Sequence, residues 1–558
     1  MSRLTNLKSD KKKLVLLISS LIIIIGIIPL VILIFAADLN NPYTIESISL
    51  TSQDGTRLNA FKYTPSDHNG GGVVVAHGFC LNAQHMQPLS IELAKRGFTV
   101  INIDFRGHGA SEGFLLRGEL INDVKAAVEY LENLNYISKI GLVGHSMGSG
   151  AITDFARTYP NRTKANVAIG GIPSNFTNIS NLLMAIGLFE QSATKEHILE
   201  ALRSYTGQQD VAIGVIYGDF NDGNATKGFI GPFSEHLFDV QDPSIVFETV
   251  QWFERAFNGG PANNIIITVT AVRIFAYISL FGVVALCFVL IVYLSNYLFK
   301  HKFVYPEKEI LKESENITIY KLILYYTIPI ALIGFIFFIF LSDYFSGVIP
   351  LSTSGLTLTP TIGVAIGVII IYNTLIIRKE QNLSIKTFAL KIGEITSSNA
   401  EESFIFGLLS ALLMIFSISA IWHWSVYYTL PSPKEFGTIM GMTFIYFPFL
   451  LIKEFYFRSV QGKLKTTNPY KEYFSMVGIG IFMDNLLIGL LMLITWLHLF
   501  SGPVSALYLS VFVIFSIFQQ FAVTWVYMWS GRNILGSTIF LCIFYSWMSV
   551  IFFPYGFL

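Results

Sequence analysis

The chain has 558 residues and no formal net charge at pH 7; 53% of it is hydrophobic, only 13% is charged, and the mean hydropathy is +0.56. That length admits two or more domains, and that composition excludes an ordinary soluble protein. The zero charge conceals an asymmetry: residues 38–264 carry a net of −8 and the remainder a net of +8, so the acidic part is a poor partner for nucleic acid.

The basic N-terminus MSRLTNLKSDKKK is followed by Leu14 to Phe35, about 22 almost wholly apolar residues. A signal peptide has a shorter apolar region of roughly 7–15 residues, ending in small residues. Here Phe35 spoils the cleavage site, so residues 1–37 read as an uncleaved membrane anchor. From Asn40 to Asn258 the texture changes to short β-rich runs alternating with helical patterns. Two β-like runs joined through Asp54 and Gly55 predict a hairpin. GGVVVA, FTVINIDF, KIGLVGHS, NVAIGGIP and NLLMAIGLFE predict buried strands. Helices are expected over Asn82–Arg96, Leu120–Leu134, Gly148–Tyr159 and Thr194–Tyr205, and Val240–Phe257 closes the region. Strands alternating with helices imply a mostly parallel sheet covered on both faces.

After Ile265 eight more apolar spans follow, near 267–299, 320–342, 357–377, 404–427, 436–453, 473–498, 503–528 and 533–555. Lys and Arg cluster after every second span: Lys300, Lys302, Lys308 and Lys312; Arg378, Lys379, Lys386 and Lys391; Arg458, Lys463, Lys465 and Lys471; then Arg532. Lys434 is the one clear exception in the alternate loops. By the positive-inside rule this alternation fits nine spans with a cytoplasmic N-terminus, in a cell-membrane protein whose residues 38–264 lie outside. Residues 265–558 then form an all-α membrane domain. Of the three cysteines, Cys287 and Cys542 fall in apolar spans, so only Cys80 is left in the polar region and no disulfide framework is expected.

LVGHSMGSG, Leu142 to Gly150, puts Ser146 where a predicted strand meets a predicted helix. A nucleophile at such a turn needs small neighbours, because the backbone bends sharply where helix and strand pass close. Gly144, Gly148 and Gly150 supply them. HGF, His77 to Phe79, ends an earlier strand, where an oxyanion hole needs a backbone N–H; the second N–H would come from Met147. DFRGHGASEG, Asp104 to Gly113, ends the next strand.

With HG-x, D-x-RG-x-G-x-S and G-x-S-x-G in this order, about 220 residues resemble the α/β-hydrolase superfamily, its serine-peptidase-like and monoacylglycerol-lipase-like branches above all. The resemblance implies the chain order Ser, acid, His. His236 is then the expected base, lying between the last strand and the final helix. NLLMAIGLFEQ resembles the family's penultimate strand and points to Glu190 as the acid, with Asp219 and Asp222 in YGDFNDGNA as rivals. Asp104, Arg106, His108 and Ser111 are expected to hold backbone near the mouth. Many relatives carry a helical lid that GGIPSNFTNISNLL leaves no room for; an open or membrane-capped mouth would suit an amphiphilic ester.

The expected activity is thus hydrolysis of a small ester or amide at the outer surface, with membrane lipids as surroundings and no metal or organic cofactor. A transporter or receptor whose outer domain only binds its ligand is the rival reading. Sequons stand at Asn161, Asn175, Asn178 and Asn224. Asp484 lies well inside a span, where an ionisable group is costly. KEFYFRS resembles the E-E-x-x-x-R motif of intramembrane prenyl-protein peptidases, but Lys453 replaces the first Glu and only His498 follows. Lys453, Glu454 and Arg458 are expected to form an ion-paired helix end at the inner surface. No phosphate-binding loop is found, which argues against an ATP-driven pump.

Overall fold

The computed structural model describes residues 16–29, 31, 42–173, 179–262, 266–299, 321, 323–352, 354–371, 393, 399–425, 428–462, 464, 468–496 and 506–556. Asn175 and Asn178, His498, most of the Lys and Arg clusters from Lys300 to Lys465, and the ends of the N-terminal segment lie outside the described residues.

An eight-stranded sheet in the order β1-β2-β4-β3-β5-β6-β7-β8 organises the first half of the chain. β1 (Tyr43–Thr51) and β2 (Arg57–Pro65) form the expected antiparallel hairpin, which turns at the Asp54–Gly55 pair. β2 also runs antiparallel to β4 (Thr99–Ile103). From β4 onward, β3 (Gly71–Ala76), β5 (Lys139–His145), β6 (Ala165–Ile169), β7 (Leu182–Gly187) and β8 (Thr226–Gly231) are all parallel. β3, β4, β6 and β7 are buried along their whole length, as the near-continuous apolar runs of a doubly covered sheet require.

After the N-terminal helix α1 (Leu16–Pro29), helices α2 (Gln87–Ala94), α3 (Leu120–Glu132), α4 (Met147–Thr158), α5 (Lys195–Thr206) and α6 (Pro243–Asn258) flank the sheet. Two apolar layers result. One packs β-sheet residues such as Leu142 and Met184 with Val128, Ile152 and Phe155; the other packs Val75, Val100 and Val167 with Leu89, Val250 and Phe253.

Three departures from the sequence expectation bear on the site. α2 begins five residues late, because Pro88 at its start has no N–H to give to an earlier turn. β8, which the strand pattern left out, is interrupted by glycine and follows a glycine-rich stretch. Between the last strand and the final helix, His236 begins a 3₁₀ turn, His236–Gln241. α6 then starts at Pro243, capped by the Asp242 side chain through Ser244 N–H at 2.8 Å.

The second half is all-α. Among the described residues, seven helices are long and apolar enough to cross a membrane: Val269–Phe299, Ile323–Val348, Ala400–His423, Pro433–Gln461, Pro469–Leu490, Phe512–Trp529 and Ile534–Ile551. The other two of the nine expected spans fall on the shorter apolar helices Leu16–Pro29 and Thr357–Ile371. The ends of several helices touch the sheet domain. Arg273 donates to Gln84 O (3.0 Å), and the Phe61 and Tyr428 rings lie 5.5 Å apart. Tyr555 exchanges backbone hydrogen bonds with Gly107 O (2.8 Å) and Leu115 N–H (2.6 Å).

The charged residues of the helical region are arranged differently from the expected helix end. Arg458 and Glu454 do pair, at 2.7 Å, but both are fully buried, and Arg458 also donates to Gln461 and Thr524. Lys453 pairs across helices with Asp484 at 2.5 Å, and Gln520 donates to the other oxygen of Asp484. Away from water an ion needs a partner within reach, and Asp484 finds it on a neighbouring helix.

Candidate active site

Ser146 stands alone between the end of β5 and the start of α4, with φ 52° and ψ −113°. For a residue with a Cβ that is a sparsely populated conformation, held only where the surroundings over-determine it. The glycines explain how the turn fits. A Cβ on Gly148 would stand 2.3 Å from Ala76 O, so the first turn of α4 lies against the end of β3. A Cβ on Gly78 would stand 3.1 Å from Ser146 Cβ, so the HGF turn lies directly beside the serine. Phe79 follows in that turn with its ring buried, and Met147 is the first residue of α4.

β5, β7 and β8 are parallel, so the loops at their C-terminal ends converge. His236 Nε2 lies 2.9 Å from Ser146 Oγ, and His236 Nδ1 lies 2.8 Å from Glu190 Oε1. The His236 and Glu190 side chains are only 6% and 1% exposed. Two backbone bonds knit the β7 and β8 loops together, Leu188 N–H to Gly231 O (2.7 Å) and Phe189 N–H to Ser234 O (3.0 Å). Asp219 and Asp222 are exposed and precede β8. At about 3.3 Å per residue, the length of β8 alone puts them about 20 Å from the end that carries His236.

Several partners of this line were not legible in the sequence. Ser192 N–H donates to Glu190 Oε1 at 2.7 Å, and Gln191 Oε1 accepts from His236 N–H at 3.2 Å. His145 Nε2 meets His236 O at 2.8 Å and so fixes the turn that carries the ring. Burial first, then the neighbouring His236 and His85, hold His145 well below the usual histidine range, so it stays neutral. Beyond Glu190 lies Asp239, fully buried, whose Oδ1 accepts from Ser234 Oγ at 2.8 Å. Only its position three residues after His236 could have singled it out.

Asp104, His108 and Ser111 hold backbone, as expected, whereas the Arg106 guanidinium bonds side chains instead, those of Asp123, Asp54 and Ser52. Asp104 accepts from Ala83 N–H (2.7 Å), Asn59 Nδ2 (2.8 Å) and Ala110 N–H (3.1 Å). Burial nevertheless pushes its carboxyl up to about 6. Arg106 pairs with Asp123 and Asp54, each at 2.7 Å, Ser111 Oγ donates to Asp104 O, and His108 Nδ1 meets Arg106 O. Among the described residues no group of three or more His, Cys, Asp or Glu is placed to hold a metal ion.

Comparison with known proteins bears on the domain that carries these residues. The family model described as serine aminopeptidase, S33, matches residues 67–186. An uncharacterized protein, YfhR, of Escherichia coli K12 is 30% identical over 120 residues, which are 20% of this chain and 42% of that protein. A monoacylglycerol lipase of Mycolicibacterium smegmatis is 28% identical over 142 residues, 25% of this chain and 51% of the lipase. The chain thus spans about two fifths to one half of the length of these curated relatives. A Pyrococcus furiosus esterase, Pf2001, aligns structurally over 38% of this chain and 94% of its own, at 18% identity and a TM-score of 0.31. The family match covers β3 to β7 with the HGF turn, the Asp104–Gly113 stretch and the Ser146 turn, and the apolar helices follow it. The protein therefore carries a serine-hydrolase-like domain of the α/β-hydrolase superfamily, joined to a C-terminal polytopic helical region.

Proposed function

We propose that the protein is a membrane-bound serine hydrolase that cleaves an ester or amide on the outer face of the membrane. The observation that carries this reading is the line from Ser146 Oγ through His236 to Glu190, 2.9 and 2.8 Å between successive atoms, on a strained strand-to-helix turn. His236 takes the Ser146 proton as Oγ attacks the carbonyl carbon, and the backbone N–H groups of Phe79 and Met147 stabilise the oxyanion. Collapse of the tetrahedral intermediate expels the alcohol or amine, which receives its proton from His236. Water, deprotonated by His236, then releases the acyl group from Ser146. Glu190 keeps Nδ1 protonated and stabilises the imidazolium as it forms.

The domains in this reading are the anchor 1–37, the hydrolase domain 38–264 and the membrane domain 265–558, with nine spans. The helix ends that touch the hydrolase domain, at Arg273, Tyr428 and Tyr555, all lie on the side that the Lys/Arg alternation assigns to the outside. Lys434, the exception in that alternation, lies 3.9 Å above the Tyr555 ring, where a cation–π contact holds it locally.

A fluorophosphonate probe on membranes tests the chemistry. Labelling that disappears in Ser146→Ala is the expected result; a folded wild type that does not label refutes it and favours a ligand-binding domain. For the orientation, protease added outside intact cells should cut within residues 40–258, and full protection there overturns it.

A further inference from the structure

Glu190 uses one carboxylate oxygen fully: Oε1 accepts from His236 Nδ1 at 2.8 Å and from Ser192 N–H at 2.7 Å. Its Oε2 is buried with no donor, and Asp239 Oδ2 is buried with no donor either. Both residues lie at the end of β7: Glu190 N–H donates to Gly187 O at 3.2 Å, a Cβ on Gly187 would stand 2.5 Å from Asp239 Oδ1, and each carboxyl acts on the other. Two ionised carboxylates cannot bond to one another, because both only accept. Ser234 does not resolve the conflict: its single hydroxyl proton lies between Asp239 Oδ1 (2.8 Å) and Asp242 Oδ2 (3.1 Å). Asp242 already has Phe233 N–H at 3.0 Å and Ser244 N–H at 2.8 Å as donors. One proton between Asp239 and Glu190 satisfies both orphaned oxygens.

We propose that Asp239 is a positioning residue of this site: its carboxyl keeps a proton and donates it to Glu190 Oε2, leaving a single negative charge whose Oε1 is fixed toward His236. This inference rests on the hydrolase reading for its catalytic consequence, though not for the proton itself. The hydrogen bonds from Ser234 and the Gly187 backbone favour an ionised Asp239, but burial and Glu190 outweigh them. The 236–241 turn contributes His236, the start of α6 contributes Asp242, and the end of β5 contributes His145. Glu235 is engaged with Leu237 N–H and with Gln191. None of these is a permanent cation that would hold Asp239 ionised. Burial, followed by the neighbouring Glu190, drives the Asp239 carboxyl far above the ordinary carboxylate range. Glu190 is itself buried, yet its bonds to His236 and Ser192 keep it below that range.

The test uses the full-length protein in detergent at pH 8. An infrared carbonyl band of a protonated carboxylic acid, present in the wild type and absent in Asp239→Asn, is expected; no difference between the two overturns the shared proton, whatever the catalytic activity. Kinetics then test the positioning. Asp239→Ala removes a hydrogen bond to a charged group and should lower kcat about 10- to 100-fold, with less than a twofold change in KM. It leaves Glu190 more basic, so the acid limb of the pH–rate profile should move to higher pH. Asp239→Asn, whose amide can donate to Glu190 and accept from Ser234, should recover most of kcat and return the limb.

An ionised Asp239 predicts the opposite sign. Losing its charge would move the limb to lower pH in both variants, and that result overturns the proposal. A carboxylic-acid band together with a wild type inert to fluorophosphonate refutes the hydrolase reading and, with it, the positioning role.

Discussion

Replacing Glu190 by Gln removes one charge and keeps the shape, and the surroundings fix how the amide sits. Ser192 N–H points at the Oε1 position from 2.7 Å, so the amide oxygen belongs there and its NH₂ faces Asp239. His236 Nδ1 therefore still finds an acceptor, and the ring keeps its tautomer. What is lost is the attraction between carboxylate and imidazolium. The contact atoms are 2.8 Å apart, and delocalisation puts the charge centres at about 4 Å. With an effective dielectric constant of about 20, that attraction is about 4 kcal/mol. Since 1.36 kcal/mol is tenfold, kcat/KM should fall about 10³-fold. An amide that instead aimed its NH₂ at Nδ1 would impose the wrong tautomer and cost about 10⁴-fold. The assay is hydrolysis of a chromogenic ester, alongside the second-order rate of fluorophosphonate labelling of Ser146. A loss of less than tenfold would refute the role of Glu190. Asp219→Asn and Asp222→Asn, at the other end of β8, should leave both rates at the wild-type level.

Arg106→Met should destabilise the protein by about 3–5 kcal/mol, because it strands Asp123, whose side chain is fully buried, without its cation. Thermal unfolding in detergent checks this, and a Tm within 2 °C of wild type would refute it; adding Asp123→Leu should restore most of the loss. Gly107→Ala places a Cβ at φ 75°, 2.3 Å from Tyr555 O, and so should break the paired backbone bonds between the hydrolase domain and the last residues of the chain. Amide exchange at Leu115 should quicken by at least about tenfold, and unchanged protection would count against that contact. Burial keeps His85 down to about 3 and His108 to about 4, and His77 and His145 well below their ordinary value. Folded-state values this low mean that none of the four takes up a proton as pH falls from 8 to 5. With His236 as the single titrating group in the mechanism, the acid limb of kcat against pH should therefore have a slope of one; a slope of two would show a second group at work, one of these histidines or the Asp104 carboxyl, which burial pushes up to about 6.

The sheet was legible where its physics is local. Runs such as GGVVVA and FTVINI are buried on both faces, so their apolar continuity is visible without neighbours. β8 was not, because Gly228 and Gly231 are dictated by what lies beside them. A Cβ on Gly228 would meet Ile198 at 2.3 Å, and one on Gly231 would meet Asp242 at 2.7 Å. The same distinction separates the parts of the site. The Ser146 turn carries its signature in five adjacent residues, since the bend itself requires small neighbours. Gln191 and His145 act on His236 through hydrogen bonds that exist only once the ends of β5, β7 and β8 are side by side. Sequence distance misleads here as well: Asp219 and Asp222 are closer to His236 along the chain than Glu190 is, yet a strand turns that proximity into separation.

The helical region makes the converse point. Hydropathy located its helices, because each apolar run reports its own environment. Its charges were misread, because a buried charge reports its partner's position instead. Lys453, Glu454 and Arg458 share one helix, and spacing alone suggests a single ion-paired cluster at a helix end. Glu454 and Arg458 do pair four residues apart, the separation at which side chains meet on one helical face. Lys453 is turned from that face by one residue, about 100° around the axis, and reaches Asp484 on the Pro469–Trp496 helix instead. Arg458 rests over the Tyr527 ring at 4.6 Å and donates to Thr524, both on the Ala506–Trp529 helix. Lys453 and Arg458, five residues apart on one helix, thus tie it to two different neighbours. A motif comparison along the chain sees one cluster where the packing makes two separate joints.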